Sequence, residues 1–263
     1  MASEDAKPDG ISVEATHKSL TVLNEIGDRD GVRFNELVDL VEMSKSTLYH
    51  HLSTLRAHDY VVKSDGVYRL GLRLFEHGCR ARRDQRLFEI CKPRADALAE
   101  EIDESVQLVV EERGYGVYIY RAGDREVGSR PITGTRLPIH ATASGKAILS
   151  ELPSDRVEAL AEENDLAALT ENTITGVEAL QDELVEVRER GYALDDEECF
   201  PGIRCVSKPV VTAGGSVLGA VSVSGLVAQI DDHRFRNELP EHLTTTAAVA
   251  QLDDSYSSIA DLE

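Results

Sequence analysis

The chain has 263 residues, of which 41% are hydrophobic, so it is long enough to form one large or two modest domains with a sizeable core. Its 48 acidic and 28 basic residues give a formal net charge of −20, and its four cysteines are too few to predict a disulfide framework. No stretch approaches 18 uninterrupted apolar residues, and the acidic N-terminus lacks a secretory signal pattern. We therefore expect a cytoplasmic protein without a membrane partner.

The negative charge is unevenly distributed. Residues 1–95 contain 15 acids and 15 bases, whereas residues 96–263 contain 33 acids and 13 bases. This division predicts two domains with different partners. The chain also has only 7 Lys against 21 Arg. An acidic, lysine-poor composition is typical of proteins from halophilic organisms, where salt screens the repulsion between carboxylates. An ordinary acidic protein is the alternative.

The first region predicts a winged helix-turn-helix. Apolar spacing predicts helices over 11–27, 34–41 and about 45–58, and Ser44 is the expected N-cap of the third helix. Two β-prone runs on either side of Asp65-Gly66 then predict a hairpin. Three helices followed by a hairpin are the elements of the winged motif.

The third helix and the hairpin carry short polar and basic side chains that suit base edges and phosphates. The alternative is a small helical domain that docks another protein. We predict double-stranded DNA as the partner, contacted by the residues Ser44, Lys45, Ser46, Thr47, His50, His51, Lys63 and Arg69.

Residues 71–102 predict a charged connecting helix that is interrupted near Pro93. Four arginines lie close together in it: Arg80, Arg82, Arg83 and Arg86. They either face phosphates or neutralise the acidic region that follows.

The remaining chain predicts an α+β domain. Its strands are expected at 106–111, 117–121, 192–195, 205–211 and 217–224, and its helices at 144–151, 155–164, 177–190 and about 231–253. Adjacent strands joined by short turns favour an antiparallel sheet with helices on it over a βαβ series.

Three segments of this domain could form a site. Residues 137–146 lead into a helix start, whose N–H groups and positive dipole end favour an anion. Residues 195–205 join two strands through a Pro-Gly turn. Strand alternation puts Ser222 and Ser224 on one face, as in a lined pocket. A closely packed helix start and serines as core filler are the simpler alternatives.

The same segments contain residues from which a catalytic or metal site could be built. Ser144 or Cys205 could pair with His140, but the G-x-S-x-G elbow is absent. His140, Asp195, Cys199 and Cys205 lack the usual metal-ligand spacing. We therefore predict no catalytic residue, no metal and no cofactor. A small-molecule enzyme built on this domain is the main alternative function, and a DNA-independent interaction protein is a weaker one.

Four motifs occur in the order and spacing of one family. They read HATASGKA at 140–147, RGYALDDEE at 190–198, GIRCV at 202–206 and AVSVSG at 220–225. Together with the N-terminal motif, they make the chain resemble IclR-type transcriptional regulators over almost its whole length. Its acidity is similar to that of haloarchaeal members.

The resemblance implies a winged helix-turn-helix (1–78), a linker helix (79–94) and a GAF-like effector-binding domain (95–263). It also implies a homodimer or homotetramer on a palindromic operator, and a small organic acid as effector of a regulator of metabolic genes. By this similarity, the residues lining the effector site are Leu137, Ala143, Ser144, Asp195, Ile203, Cys205, Ser222 and Ser224.

Overall fold

The computed structural model describes residues 13–123 and 133–248. The chain divides into two compact units, with the division between Ala81 and Arg82. Among the described helices, none is both long and apolar enough to cross a membrane.

The first unit is a winged helix-turn-helix, as the sequence predicts. Its elements are α1 (Glu14–Gly27), β1 (Val32–Arg33), α2 (Phe34–Leu40), α3 (Lys45–Ala57), β2 (Val61–Ser64) and β3 (Val67–Leu70). The strands form an antiparallel sheet in the order β1-β3-β2. The turn between β2 and β3 is tight because Asp65 and Gly66 both have positive φ, 53° and 81°.

A single apolar core holds this unit together. The helical faces predicted from spacing supply it, including Leu37 of α2 and Leu48 and Leu52 of α3, all almost fully buried. The two-residue strand β1 was not predicted, because so short a segment carries no alternation.

The connecting segment consists of two helices, α4 (Arg73–Arg83) and α5 (Arg86–Ile102). The break lies at Asp84 and Gln85, so the predicted interruption near Pro93 is wrong. Pro93 lies inside α5, where packing of residues such as Leu87 and Leu98 against the sheet outweighs the lost backbone hydrogen bond. The proposed linker, 79–94, covers the end of α4 and the first half of α5.

The second unit contains a six-stranded antiparallel sheet, which confirms the α+β fold class. Its strands are β4 (Ser105–Glu112), β5 (Tyr115–Ala122), β6 (Arg136–Pro138), β7 (Ala193–Asp196), β8 (Ile203–Val211) and β9 (Val217–Leu226), in the order β6-β5-β4-β9-β8-β7. The helices are α6 (Ala143–Ser150), α7 (Ser154–Asn164), α8 (Val177–Arg190) and α9 (232–248), which includes a π-helical turn at Arg234–Glu238.

Helices cover both faces of this sheet. On one face, α5 and α9 pack against residues such as Val106, Leu108 and Val221. On the other face, α6, α7 and α8 pack against Val109 and Ala220. The sequence missed the short edge strand β6. The predicted helix 231–253 extends past residue 248, where its last part lies outside the described residues.

Candidate functional site

The start of α3 presents polar side chains to solvent. Ser44 is the N-cap, as predicted: its Oγ accepts a hydrogen bond from Thr47 N at 3.1 Å. Ser44, Lys45, Ser46 and His50 are exposed, because Leu48 and Leu52 take the buried side of the same helix. The arrangement leaves a free helix surface of hydroxyl, ammonium and imidazole groups, which suits contacts to base edges and phosphates.

The hairpin adds two exposed bases. Lys63 and Arg69 lie on β2 and β3, and the Lys63 ammonium is 4.7 Å from the centre of the Tyr68 ring. His51 differs from the other predicted contacts: it is half-buried, and its Nδ1 hydrogen-bonds Ser19 Oγ of α1 at 2.8 Å. This bond ties α3 to α1, so His51 also has a structural role.

One candidate that the sequence prediction missed is Tyr49. It is 60% exposed on α3, and its ring packs edge-on against the ring of His50. A large exposed aromatic side chain beside basic and polar groups would have been a usable signal.

The basic segment before α5 makes local contacts. Arg80 pairs with Glu76 at 2.5 Å, and the Arg82 guanidinium lies 4.6 Å from the centre of the Phe88 ring. The two alternative roles of these arginines, contact with phosphates or neutralisation of the acidic region, stay predictions.

The second unit encloses a cavity at the sheet, and six of the eight predicted effector residues line it: Leu137, Asp195, Ile203, Cys205, Ser222 and Ser224. The lining is completed by Gln107, Tyr118, Thr142, Cys199 and Phe200. The cavity is narrow, because these side chains fill most of the space between the sheet and α6. It has room for about one or two waters.

The other two predicted residues, Ala143 and Ser144, belong to the first turn of α6 and do not line the cavity. The N-cap of this helix is Thr142, whose hydroxyl accepts a hydrogen bond from Gly145 N at 3.0 Å. A side chain at Gly145 would collide with the backbone of Ile139, which explains the glycine. Because Thr142 lines the cavity, the positive end of the α6 dipole lies at its wall.

The two serines of β9 are already hydrogen-bonded within the sheet. Ser222 Oγ donates to Val206 O at 3.1 Å. Ser224 Oγ accepts from Gln107 Nε2 at 2.8 Å, which leaves its own proton for another acceptor.

Asp195 is the acidic group of the cavity wall. It is 2% exposed, and its Oδ1 accepts hydrogen bonds from the backbone N–H groups of Glu198 and Cys199. Burial raises the pKa of Asp195 to about 7, and the nearby Glu198 carboxylate adds to the rise, while Lys146 opposes it. Near neutral pH this side chain therefore exists in both protonation states.

A buried ion pair joins Lys146 to Glu198, which lies close to Asp195 in the chain. Lys146 of α6 is 1% exposed, and its Nζ is 2.5 Å from Glu198 Oε1 and 3.5 Å from Glu183 Oε1. Burial raises the pKa of Glu198, and the Lys146 ammonium works against this rise. The pair joins α6 to the segment after β7.

One ring nitrogen of His140, which was considered for catalysis, is hydrogen-bonded to the backbone. His140 Nε2 lies 3.1 Å from Ala167 O, so it carries a proton and donates it to that carbonyl. Within residues 13–123 and 133–248, no three or more His, Cys, Asp or Glu side chains form a group that could hold a metal ion.

Comparison with known proteins identifies the family. The model for the IclR helix-turn-helix domain matches residues 15–65, and the model for the C-terminal domain of bacterial IclR transcriptional regulators matches residues 79–251. The chain belongs to the IclR family of transcriptional regulators.

Relatives match this IclR-family chain over most of their length. It is 33% identical to the HTH-type transcriptional regulator XynR of Escherichia coli over 86% of this chain and 90% of that protein. It is 28% identical to the regulator named ArcR of Halobacterium salinarum, over 89% and 91%. The crystal structure of Thermotoga maritima IclR superposes with a TM-score of 0.74 at 28% identity, covering 89% and 96% of the two chains.

In this family member, then, the exposed α3 belongs to a DNA-binding domain of a transcriptional regulator. The C-terminal match contains the whole cavity. Sequence reasoning missed Gln107, although it is the single polar residue in the apolar run 106–110, and that signal was available. It also missed Tyr118, whose place at the cavity depends on β4–β5 pairing and leaves no local trace.

Proposed function

We propose that this protein regulates metabolic genes in the cytoplasm by binding an operator through α3 and the wing, and by changing its operator affinity when a small organic acid enters the cavity. One observation carries the proposal: two features occur in the same chain. The third helix is capped and presents polar side chains to solvent, and a separate sheet domain contains a buried, partly polar cavity. No catalytic step is part of this function.

The DNA contacts are assigned by exposure and chemistry. Lys45, Ser46, Thr47 and His50 contact base edges and phosphates in the major groove, with Ser44 holding the helix start. Lys63 and Arg69 contact phosphates from the wing, which fixes the register without reading sequence.

The effector contacts follow from the cavity wall. An anionic group is attracted to the α6 end beside Thr142, and Ser224 has a proton to donate to it. Leu137, Ile203 and Cys205 supply the apolar wall. Asp195, when ionised, repels a carboxylate, so it accepts a bond from a hydroxyl or amine on another part of the ligand. These features support an acid with a second polar group.

Exposed apolar side chains in α4 and just before it support homo-oligomerisation. No described side chain of α4 is buried, and Leu72 and Phe75 are 84% and 68% exposed. Two such surfaces from a pair of chains would cover each other in a dimer or tetramer, whose symmetry matches a palindromic operator. Phe75→Ser is expected to shift the mass measured by light scattering towards the monomer. Leu169→Ser, at an exposed leucine outside α4, is expected to leave the mass unchanged.

The proposal is tested by recovering the operator and then measuring both activities. DNA bound in cells is sequenced, and affinity for that operator is measured at one fixed salt concentration. Lys45→Ala with Thr47→Ala is expected to weaken specific binding by about 10-fold or more, since a base contact is worth ~1–3 kcal/mol. Arg29→Ala removes an exposed base that pairs with Glu25 in the same domain, and it should change operator affinity little. Unchanged affinity in the double variant would refute the α3 assignment.

The effector half of the proposal is tested by thermal shift with a panel of small organic acids. A ligand at ~100 times its dissociation constant adds roughly 2.7 kcal/mol to stability. Ser222→Ala with Ser224→Ala is expected to abolish the shift and to leave the operator affinity of the unliganded protein intact. If the ligand binds the double variant normally, or if its binding leaves operator affinity unchanged, the pocket or its coupling to DNA is wrongly assigned.

A further inference from the structure

The side-chain amide of Gln107 has a determined orientation. Gln107 lies in the central strand β4 and is 3% exposed. Its Nε2 is 2.8 Å from Ser224 Oγ, 2.8 Å from Ser105 Oγ and 3.1 Å from Ser105 O. Because a carbonyl oxygen can only accept, the amide must present its NH₂ group to Ser105. The amide carbonyl, Oε1, therefore lies on the other side.

That carbonyl oxygen is buried and finds no hydrogen-bond partner in the part of the chain that the structure describes. Buried acceptors are nearly always satisfied in folded proteins. Since Gln107 lines the cavity, the missing donor can come from a molecule that enters it.

A second acceptor lies beside it. Ser222 is directly opposite Gln107 in the register of β4 and β9. Its hydroxyl proton is used in the bond to Val206 O, so its Oγ offers only lone pairs to the cavity. The neighbouring side chains of Gln107 and Ser222 thus present two acceptors and no donor.

We infer that Gln107 is a specificity-determining residue that selects effectors with a hydroxyl or N–H donor, so that the cavity takes a 2-hydroxy acid in preference to the 2-oxo acid of the same carbon skeleton. This inference rests on the proposed function, because it requires an organic acid in the cavity. The ligand hydroxyl donates to Gln107 Oε1. A keto oxygen in the same place would lose its hydrogen bonds to water and meet the lone pairs of Gln107 and Ser222.

The test uses matched pairs of acids as probes: lactate with pyruvate, 2-hydroxybutyrate with 2-oxobutyrate, and mandelate with phenylglyoxylate. Dissociation constants are measured by titration calorimetry on the full-length protein. In at least one pair, the hydroxy acid is expected to bind the wild type about 5- to 10-fold more tightly than the oxo acid, which corresponds to one hydrogen bond.

Gln107→Met removes the acceptor at similar side-chain length and is expected to bring the two members of that pair within about twofold of each other. Gln107→Asn, which keeps an amide but shortens it, serves if the Met variant does not fold, and it is expected to lose most of the preference. Gln229→Met changes an exposed glutamine of the same domain and should retain the full preference.

The possible outcomes distinguish the inference about Gln107 from the proposed effector site. If both members of every pair that binds do so equally in the wild type, a buried water satisfies Oε1 and the inference is overturned, while the proposed effector site stands. A hydroxy-acid preference that survives in the Gln107 variants also overturns it, since another group must then select the ligand. If no acid of the set binds the wild type at millimolar concentration, the inference falls, and the proposed effector class then depends on the wider thermal-shift panel.

Discussion

At the scale of single residues, the most consequential group is Lys146. Its ammonium is almost fully buried between the carboxylates of Glu198 and Glu183. Such a pair contributes little net stability, because desolvation offsets the attraction, but removing one partner leaves a buried unpaired charge. Lys146 therefore constrains the position of Glu198 in the segment after β7, next to Cys199 of the cavity wall.

We expect Lys146→Met to destabilise the protein by about 3–5 kcal/mol in chemical denaturation, because the Glu198 carboxylate loses its counterion. Adding Glu198→Gln should restore much of this loss. Lys92→Met, at a surface lysine paired with Asp96, should change the free energy of unfolding little. A Lys146→Met protein as stable as wild type would show that the pair is not buried in solution.

Asp195 predicts a pH dependence of stability. Its pKa is about 7 in the folded chain because burial disfavours the charged form, whereas an unfolded Asp has a pKa near 3.9. The folded protein thus holds a proton that the unfolded chain has released, so the contribution of Asp195 to stability falls as pH rises from about 4 to about 7. Above pH 7 the carboxyl is ionised in both the folded and the unfolded chain, so its contribution to stability no longer changes with pH.

Asp195→Asn is accordingly expected to flatten the decline in melting temperature between pH 5 and pH 8, since the amide oxygen can still accept the two backbone hydrogen bonds. The relevant comparison is the slope of melting temperature against pH for the two proteins. Equal slopes would mean that Asp195 is ionised in the folded protein throughout this range.

At the scale of elements, the start of α3 combines two roles that a substitution can separate. Ser44 caps the helix by accepting from Thr47 N, and its exposed hydroxyl lies on the surface proposed to meet DNA. Ser and Asp cap helices about equally well, while Ala does not. A carboxylate in this position would, however, repel phosphates.

Ser44→Ala should therefore lower stability by about 0.5–2 kcal/mol and speed hydrogen exchange of the Thr47 amide. Ser44→Asp should preserve both and still weaken operator binding. If Ser44→Asp binds the operator as well as wild type, Ser44 is a cap that lies away from the DNA.

At the scale of the whole molecule, the excess negative charge lies entirely in residues 96–263. Molar salt shortens the screening length to about 3 Å, so it removes most of the repulsion between surface carboxylates. At low salt the same charges destabilise the compact state. The acidic, lysine-poor composition fits a protein adapted to high ionic strength.

We expect the melting temperature to rise between 0.2 M and 2 M KCl, and the oligomer to be retained in the higher salt. A non-ionic solute at equal osmolality serves as the control, because it excludes volume without screening charge. A protein that is equally stable in both salt concentrations and monomeric in each would contradict the proposed salt adaptation and the proposed assembly.

The sequence by itself determined the local features. Helical spacing, the Ser44 cap, the Asp65-Gly66 turn and the strand alternation around Ser222 are set by residues close together in the chain, so their patterns are readable without the fold. The family motifs then indicated six of the residues that line the cavity.

Only the tertiary structure decided which polar groups are satisfied. The bond from Gln107 to Ser224 joins residues 117 positions apart, and the pair of Lys146 with Glu198 spans 52. It also showed that the proton of Ser222 is used within the sheet and that α5 continues through Pro93. These outcomes depend on which distant strands and helices come together, because hydrogen bonding and burial are settled by neighbours in space, and no local pattern in the chain records them.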